Sequence, residues 1–131
     1  MLQPNLPNLK PGDLVAGRFR IVEMVGSGGF SVVYRAHQEE MNRFIALKVL
    51  KPRAATDARV VERFRREALY ASHLSHPNTI TLYDYGQTDT GLFYIAMEFL
   101  DGLTLTHVIR QNGPLPPGRM VRIAEQMADA M

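Results

Sequence analysis

The chain of 131 residues contains no cysteine, so disulfide bonds, zinc–thiolate sites and thiol nucleophiles are all excluded. It has four histidines, and none of them forms a pair with the spacing of metal ligands. No apolar run approaches the length that spans a membrane, and the N-terminus has neither the basic nor the apolar region of a secretory signal. The sequence therefore predicts a cytoplasmic protein with no membrane segment and no metal site of its own.

The chain also lacks a large excess of positive or negative charge. The formal net charge is +2, and the pI of about 9.2 reflects a slight excess of Lys and Arg, so a nucleic-acid partner is not expected. Hydrophobic residues make up 46% and charged residues 21% of the chain, which are ordinary globular values. The length indicates one domain or part of a larger one.

Proline and glycine are concentrated in residues 1–17, which predicts an irregular or extended leader. Apolar and β-branched residues then predict a hairpin with its turn at residues 26–29, followed by a further strand. Pro52 ends that strand, and Asp57 is a candidate N-cap for a helix that runs to about Leu74. The strands predicted in this part of the chain are 19–25, 30–37 and 44–50.

Beyond the break at Pro77 and Asn78, the pattern predicts a strand pair over 80–85 and 92–99, a short helix over 105–111 and a last helix. One face of the last helix carries Met120, Ala124, Met127 and Met131. The predicted fold class is therefore α+β, with a five-stranded antiparallel sheet packed on one helix and followed by the start of an α-helical region.

A glycine-rich loop, Gly26-Ser27-Gly28-Gly29-Phe30-Ser31, lies in the predicted hairpin. Glycine lets backbone N–H groups approach phosphate oxygens closely, although a lone glycine cluster is more often a structural turn. In the loop that binds dinucleotides the glycines open a helix, whereas here Val32 and Val33 continue a strand. The hairpin form of the loop is favoured.

Lys48 and Glu67 are the two charges that fall in apolar patterns. Strand alternation places Lys48 in a row with Ala46 and Leu50, where a buried ammonium needs an anion. On the helix, Glu67 falls in the apolar stripe of Val60, Phe64, Ala71 and Leu74. We predict an ion pair between the two, which if desolvated would cost about 3–5 kcal/mol to break by removing one member. Arg59, Arg63 and Arg66 follow another stripe, predicted to face solvent rather than an acidic partner.

These residues resemble the N-terminal lobe of a Ser/Thr protein kinase of the bacterial eukaryotic-like type. The resemblance runs from Gly17 to the end of the chain. It is carried by the glycine loop with Val33, Ala46-Leu47-Lys48, Arg63-Phe64-Arg65-Arg66-Glu67-Ala68, His76-Pro77-Asn78, and Tyr94-Ile95-Ala96-Met97-Glu98-Phe99-Leu100-Asp101-Gly102. Ser31 stands where the family loop has its third glycine, which we interpret as tolerated variation.

The resemblance implies an ATP site. Residues 26–31 would cover the phosphates, and Lys48, held by Glu67, would pair with the α- and β-phosphates; these two are the predicted catalytic residues. Val25, Val33 and Ala46 would form the roof over adenine, with Met97 as gatekeeper. The backbone groups of Glu98 and Leu100 would bind adenine, and Asp101 would lie near the ribose.

The resemblance also implies what this sequence does not contain. No His-Arg-Asp and no Asp-Phe-Gly occurs, so the catalytic carboxylate and the magnesium ligands of an intact kinase are expected outside this chain. The expected organisation is a leader over 1–17, an ATP-binding lobe and hinge over 18–102, and a truncated start of the second lobe over 103–131. Such a chain is expected to be catalytically incompetent alone, marginally folded and prone to self-association through its last helix.

Two other classes of protein remain open at this point. A short non-catalytic module that binds nucleotide or a partner is the main alternative, although a chain that stops inside an apolar helix argues against it. A dinucleotide-dependent oxidoreductase is weaker, because no parallel βαβ pattern follows the loop. The intact kinase would take ATP, magnesium and a protein substrate.

Overall fold

The computed structural model describes residues 5–131, which form an antiparallel sheet, a helix packed on it and two further helices. The strands are β1 (Leu14–Val15), β2 (Phe19–Ser27), β3 (Ser31–Gln38), β4 (Arg43–Leu50), β5 (Leu82–Gln87) and β6 (Phe93–Glu98). The helices are α1 (Ala58–His73), α2 (Leu105–Asn112) and α3 (Pro117–Asp129), and a 3₁₀ turn covers Ala54–Thr56. The predicted α+β class is confirmed, with one more strand than expected.

The sheet has the strand order β1-β2-β3-β4-β6-β5, and every neighbouring pair is antiparallel. Tight turns join β2 to β3 and β3 to β4, and Asn42 takes a left-handed conformation with φ 46° in the second of these, which asparagine tolerates well. Helix α1 is inserted between β4 and β5. Because β6 lies between β4 and β5, the segment that contains α1 passes over β6 on one face of the sheet, where α1 packs.

One face of the sheet, here called the outer face, holds the larger core. It is formed by buried side chains from five strands: Val15, Phe19, Ile21, Val32, Tyr34, Ala36, Ile45, Leu47, Val49, Tyr94 and Ala96. Burial of this much apolar surface is the main source of stability in the fold. Burial also raises the pKa of the Tyr34 hydroxyl, because the charged phenolate is disfavoured away from water.

The predicted leader covers part of this outer face. Leu6 and Leu9 pack against the core, and Gly12 N–H donates to the Ile21 carbonyl at 2.8 Å. Ile21 N–H in turn donates to the Asp13 carbonyl at 2.8 Å, which ties the segment to β2. The described part of the leader is irregular, one of the two predicted forms, but it also contains the unpredicted strand β1. Its first four residues lie outside the described part of the chain.

A polar cluster closes the outer face beside β5. Arg18 forms an ion pair with Asp84, and the Tyr94 hydroxyl donates to Asp84 Oδ2 at 3.1 Å. The hydrogen bond to Asp84 raises the pKa of Arg18. Burial, and secondarily the nearby Asp84 carboxylate, raises the pKa of Tyr94. Arg18, Asp84 and Tyr94 therefore each have a hydrogen-bond partner, which offsets the cost of their partial burial on folding.

Helix α1 begins as the sequence predicts, with Asp57 at the N-cap accepting a hydrogen bond from Arg59 N–H at 2.9 Å. The helix buries Phe64 and Ala68 against Leu50 and Ile95 on the other face of the sheet. The predicted apolar stripe is wrong at its end, because Leu74 is 51% exposed. The buried residues of α1 are Phe64, which belongs to the predicted stripe, and Ala68, which does not.

Helices α2 and α3 contain no buried residue. Thr104 caps α2 by accepting from His107 N–H at 3.1 Å, and Pro117 occupies the first turn of α3, where its missing N–H costs no helical hydrogen bond. Asn78 donates to the Gln126 carbonyl at 2.9 Å, which links α3 to the segment after α1. The methionines of α3 are exposed, and self-association through them stays a prediction.

Among the described residues, no helix combines the length and apolar character needed to cross a bilayer.

Candidate functional site

Strand register brings several of the predicted site residues into one row across the sheet. Gly26 of β2 pairs with Val33 of β3, Val33 pairs with Lys48 of β4, and Lys48 pairs with Ile95 of β6. Directly opposite residues of neighbouring strands point to the same face. That face, which also packs on α1, is here called the cleft face. The next row on it contains Arg35, Ala46 and Met97.

Helix α1 adds a charged residue next to this row of strand residues. Its Glu67 Oε1 accepts a hydrogen bond from Lys48 Nζ at 2.5 Å. The predicted ion pair forms, but the predicted burial is wrong. The side chain of Lys48 is 24% exposed and that of Glu67 is 51% exposed. An ion pair as exposed as this contributes about 0–1 kcal/mol to stability. Its importance is therefore positional: it holds the Lys48 ammonium over the cleft face.

A cavity of about 180 Å³ lies beside this ion pair. The glycine loop and β4 form one wall, through Gly29, Ser31 and Lys48, and α1 forms the other, through Arg63 and Glu67. The remaining lining residues are apolar: Phe30, Leu50, Val60 and Phe64. Two cations and one carboxylate therefore border the cavity at the end beside Gly29, which is the part that suits an anionic group. The sequence placed Arg63 on a solvent-facing stripe. Its position one helical turn before Glu67 could have placed it beside the site.

The glycine loop is a hairpin, as predicted, but its turn is shorter than expected. β2 runs to Ser27 and β3 begins at Ser31, so only three residues connect the strands. Gly28 N–H donates to the Ser31 carbonyl at 2.8 Å. A register shift between Met24 and Gly26 bends β2 just before the loop, as bulges commonly do beside binding sites.

The loop glycines are not needed by the protein's own packing. None of Gly26, Gly28 and Gly29 has a left-handed φ. A Cβ added at Gly26 or Gly29 would meet nothing within 4 Å, and one added at Gly28 would lie 3.8 Å from the Ser31 carbonyl oxygen. The glycines therefore leave open space along the backbone, which side chains would partly fill.

The role of Val25, Val33, Ala46 and Met97 at an adenine site stays a prediction. Val33, Ala46 and Met97 lie on the cleft face in adjoining rows, and Ala46 is only 8% exposed. Val25 sits at the bulge of β2 and is 47% exposed. Met97 lines a second small cavity, which lies between the sheet and α1 and also includes Glu67 and Ile95.

The predicted hinge follows β6. Glu98 N–H donates to the Thr81 carbonyl at 2.8 Å, and the Glu98 side chain accepts from Thr81 N–H at 3.2 Å. The N–H of Glu98 is therefore engaged, and a ligand would have to use its carbonyl. Leu100 is 58% exposed, and Asp101 is also exposed. The roles of these residues stay predictions.

Two further residues beside the site were missed from the sequence. The Arg35 guanidinium lies 4.9 Å from the Phe44 ring centroid and 5.9 Å from that of Phe99, at the end of the cleft where β6 leads into the hinge. Lys51 donates from Nζ to the Gly28 carbonyl at 2.5 Å. Ser31, Val33 and Arg35 alternate along β3 and so point to the same face of the sheet. This alternation could have placed Arg35 on the cleft face from the sequence alone. Only the folded loop reveals the contact of Lys51.

Within residues 5–131, no three acidic or histidine side chains come together as a metal site.

The sequence profile of the protein kinase domain family matches residues 19–131. The chain belongs to this family. It is 40% identical over 120 residues to the serine/threonine-protein kinase pkn3 of Myxococcus xanthus, covering 92% of this chain and 22% of that protein. It is 41% identical over 120 residues to the serine/threonine-protein kinase PrkC of Bacillus subtilis, covering 92% of this chain and 18% of that protein.

Solved structures agree with this assignment. The Mycobacterium tuberculosis PknI kinase domain has a TM-score of 0.80 at 34% identity, covering 93% of this chain and 49% of that one. Rad53 in complex with AMP-PNP has a TM-score of 0.77 at 26% identity, covering 87% of this chain and 30% of that one. The chain thus spans about a fifth of the length of these curated relatives and about half of the PknI kinase domain structure.

Proposed function

We propose that this chain is the ATP-binding portion of a Ser/Thr protein kinase, whose intact form transfers the γ-phosphoryl group of ATP to a Ser or Thr hydroxyl. The observation that carries the proposal is the Lys48–Glu67 ion pair of 2.5 Å, which lies in the same row as Gly26 and Val33. We assign residues 18–102 to the ATP-binding lobe and hinge, and residues 103–131 to the start of the second lobe. A cytoplasmic location, where ATP is available, belongs to the same proposal.

The phosphates would lie between the glycine loop and Lys48. The Lys48 ammonium would neutralise the α- and β-phosphates, and Glu67 would keep it from turning to solvent. The loop from Gly26 to Ser31 would cover the phosphates with backbone N–H groups, which cost no reorganisation when the anion arrives. The open space beside Gly26 and Gly29 supports this placement.

Adenine would lie on the apolar part of the cleft face, under Val25, Val33 and Ala46 and beside Met97. The Glu98 carbonyl and the backbone of Leu100 would give it polar partners, and Asp101 would lie near the ribose. Rad53, a structural neighbour of this chain, has been solved in complex with AMP-PNP, which supports a nucleotide as the ligand of this cleft.

Phosphoryl transfer needs more than this lobe supplies. A carboxylate must orient the substrate hydroxyl, and magnesium must neutralise the developing charge. The family resemblance expects both in the second lobe, together with the surface for the protein substrate. We therefore expect this chain alone to bind ATP without transferring its phosphoryl group.

The experiment is a calorimetric titration of ATP into the chain and into two variants. Lys48→Met should weaken ATP binding about tenfold or more, because it removes the charge that meets the phosphates. Lys10→Met removes an equal charge from an exposed leader residue and should bind ATP as the parent chain does. Binding of ATP that is unchanged in Lys48→Met, or absent from the parent chain, would contradict the proposal.

The alternative is a nucleotide- or partner-binding module without catalysis. A module that binds ATP would give the same titration result as a kinase, so a second experiment must test phosphoryl transfer. Labelled ATP given to the intact protein that contains this chain should label Ser or Thr residues if it is a kinase. ATP binding without any such labelling, in the intact protein with magnesium, would favour the module.

A further inference from the structure

We propose that Lys51 is a positioning residue, which orients the peptide between Gly28 and Gly29 so that the Gly29 N–H faces the phosphate site. The inference rests on the proposed function, because it concerns how the same site binds the phosphates of ATP. The observation that brings it forward is the hydrogen bond of 2.5 Å from Lys51 Nζ to the Gly28 carbonyl oxygen.

Lys51 is fixed relative to the loop by its backbone as well as its side chain. It follows directly after the last residue of β4, and its N–H donates to the Phe30 carbonyl at 2.8 Å. That bond continues the pairing of β3 with β4 by one residue beyond Ser31 and Leu50. The stem of Lys51 therefore starts from a defined point beside the loop, and its ammonium reaches back only as far as Gly28.

Strand alternation places the two lysines on opposite sides. Lys48 and Lys51 are three residues apart, so the side chain of Lys51 leaves the chain on the face opposite to that of Lys48. Lys48 points to the cleft face, where it lines the cavity beside Gly29. The ammonium of Lys51 consequently holds the Gly28 carbonyl from the side away from the cavity.

The planarity of the peptide then determines where the next N–H points. In a trans peptide the carbonyl of one residue and the N–H of the next are directed to opposite sides of the chain, and this protein has no cis peptide within residues 5–131. If Lys51 holds the Gly28 carbonyl on one side, the Gly29 N–H is directed to the other, toward the cavity. Across residues 5–131, no backbone carbonyl accepts this N–H, so it is available to an anion.

The charge of Lys51 also strengthens the donor. An ammonium bound to a carbonyl polarises the whole peptide unit, which makes its N–H a better hydrogen-bond donor. Glycine at positions 28 and 29 leaves this peptide free to rotate in the absence of a tether. Lys51 thus restricts a flexible loop to the orientation that a phosphate needs, without touching the phosphate.

The test compares Lys51→Met and Lys51→Arg with the parent chain, using ATP and adenosine as probes. Lys51→Met should weaken ATP binding about fivefold, the effect of losing roughly one hydrogen bond, and should leave adenosine affinity within about twofold. Lys51→Arg keeps a cationic donor and should restore ATP binding. Lys10→Met is the control for charge and should change neither probe.

A second measurement reads the tether directly in the ligand-free chain. The carbonyl ¹³C resonance of Gly28 should move upfield in Lys51→Met, because a hydrogen-bonded carbonyl carbon is deshielded, and should return toward its original position in Lys51→Arg. No movement in Lys51→Met would show that the tether does not exist in solution and would overturn the inference.

The outcomes separate this inference from the proposed function. If the parent chain binds ATP and Lys48→Met does not, but Lys51→Met binds it normally, the proposed function stands and the role of Lys51 is wrong. Equal losses of ATP and adenosine in Lys51→Met would mean that Lys51 only stabilises the fold, which also overturns the inference. If the parent chain binds no ATP, the proposed function fails. The inference about Lys51 then fails as well, because no phosphate binds beside Gly29.

Discussion

Adjacent residues of the same strands lie in very different surroundings on the two faces of the sheet. On the outer face, Tyr34 and Leu47 are 4% and 0% exposed. On the cleft face, Val33 is only half-buried and Lys48 keeps a side-chain exposure of 24%. The comparison teaches that side-chain alternation gives one strand two kinds of surroundings. The outer face is closed by a large core, whereas the cleft face is closed only where α1 packs on it and stays partly open at Val33 and Lys48.

The largest effect should come from a substitution on the outer face. Leu47→Ala removes a fully buried side chain and should lower the free energy of unfolding by about 3 kcal/mol. Its neighbour on the strand is the matched control: Lys48→Met breaks an exposed ion pair and should change stability by less than about 1 kcal/mol. Urea unfolding of both variants measures the difference, and equal losses would break the distinction between the faces.

A smaller effect on the same face should depend on pH. Burial raises the pKa of Tyr34, so the folded protein keeps the phenol proton to a higher pH than the unfolded chain, in which tyrosine titrates near about 10. The contribution of Tyr34 is complete below that pH and is lost as pH rises through the raised folded value. The free energy of unfolding should therefore fall more steeply above pH about 10 in the parent chain than in Tyr34→Phe.

Unfolding curves measured between pH 8 and 11 would show this difference. Tyr94 titrates in the same direction and is present in both proteins, so the comparison isolates Tyr34. Parallel stability profiles of the parent and Tyr34→Phe chains would mean that Tyr34 is in contact with water, and that the outer face is less closed than its buried side chains indicate.

The smallest effect on stability should come from Glu67, on the side of α1 that faces the cleft. Glu67→Gln should change the free energy of unfolding by less than about 0.5 kcal/mol, yet weaken ATP binding about threefold, because Lys48 loses the anion that orients it. Glu62→Gln is the control. Glu62 pairs with Arg65 at 2.7 Å on the same helix, and its loss should leave ATP binding unchanged.

Much of the difference between the two faces could be predicted from the sequence, because it depends on local patterns. Alternation along β4 separates Leu47 from Lys48 without knowledge of the fold. The N-cap preference of aspartate located the start of α1 at Asp57. The pairing of Lys48 with Glu67 followed from asking which anion could satisfy a lysine in an apolar row.

What could not be predicted depends on distances between elements. Apolar spacing on α1 indicated a stripe but not its centre, so Glu67 was placed inside a surface that it only borders. Strand β1 is two residues long, too short for periodicity to reveal, and it forms because β2 offers it an edge. The contact of Lys51 with Gly28 depends on how the hairpin bends, which no local pattern states.

The central claim is that the cleft face, and not the outer face, binds a nucleotide. A titration of ATP into the ¹⁵N-labelled chain, followed by amide chemical shifts, tests it most directly. The account predicts the largest changes at Gly28, Gly29 and Lys48, and small changes at Arg18 and Asp84 beside the outer face. Changes concentrated at Arg18 and Asp84, with the glycine loop unperturbed, would contradict it.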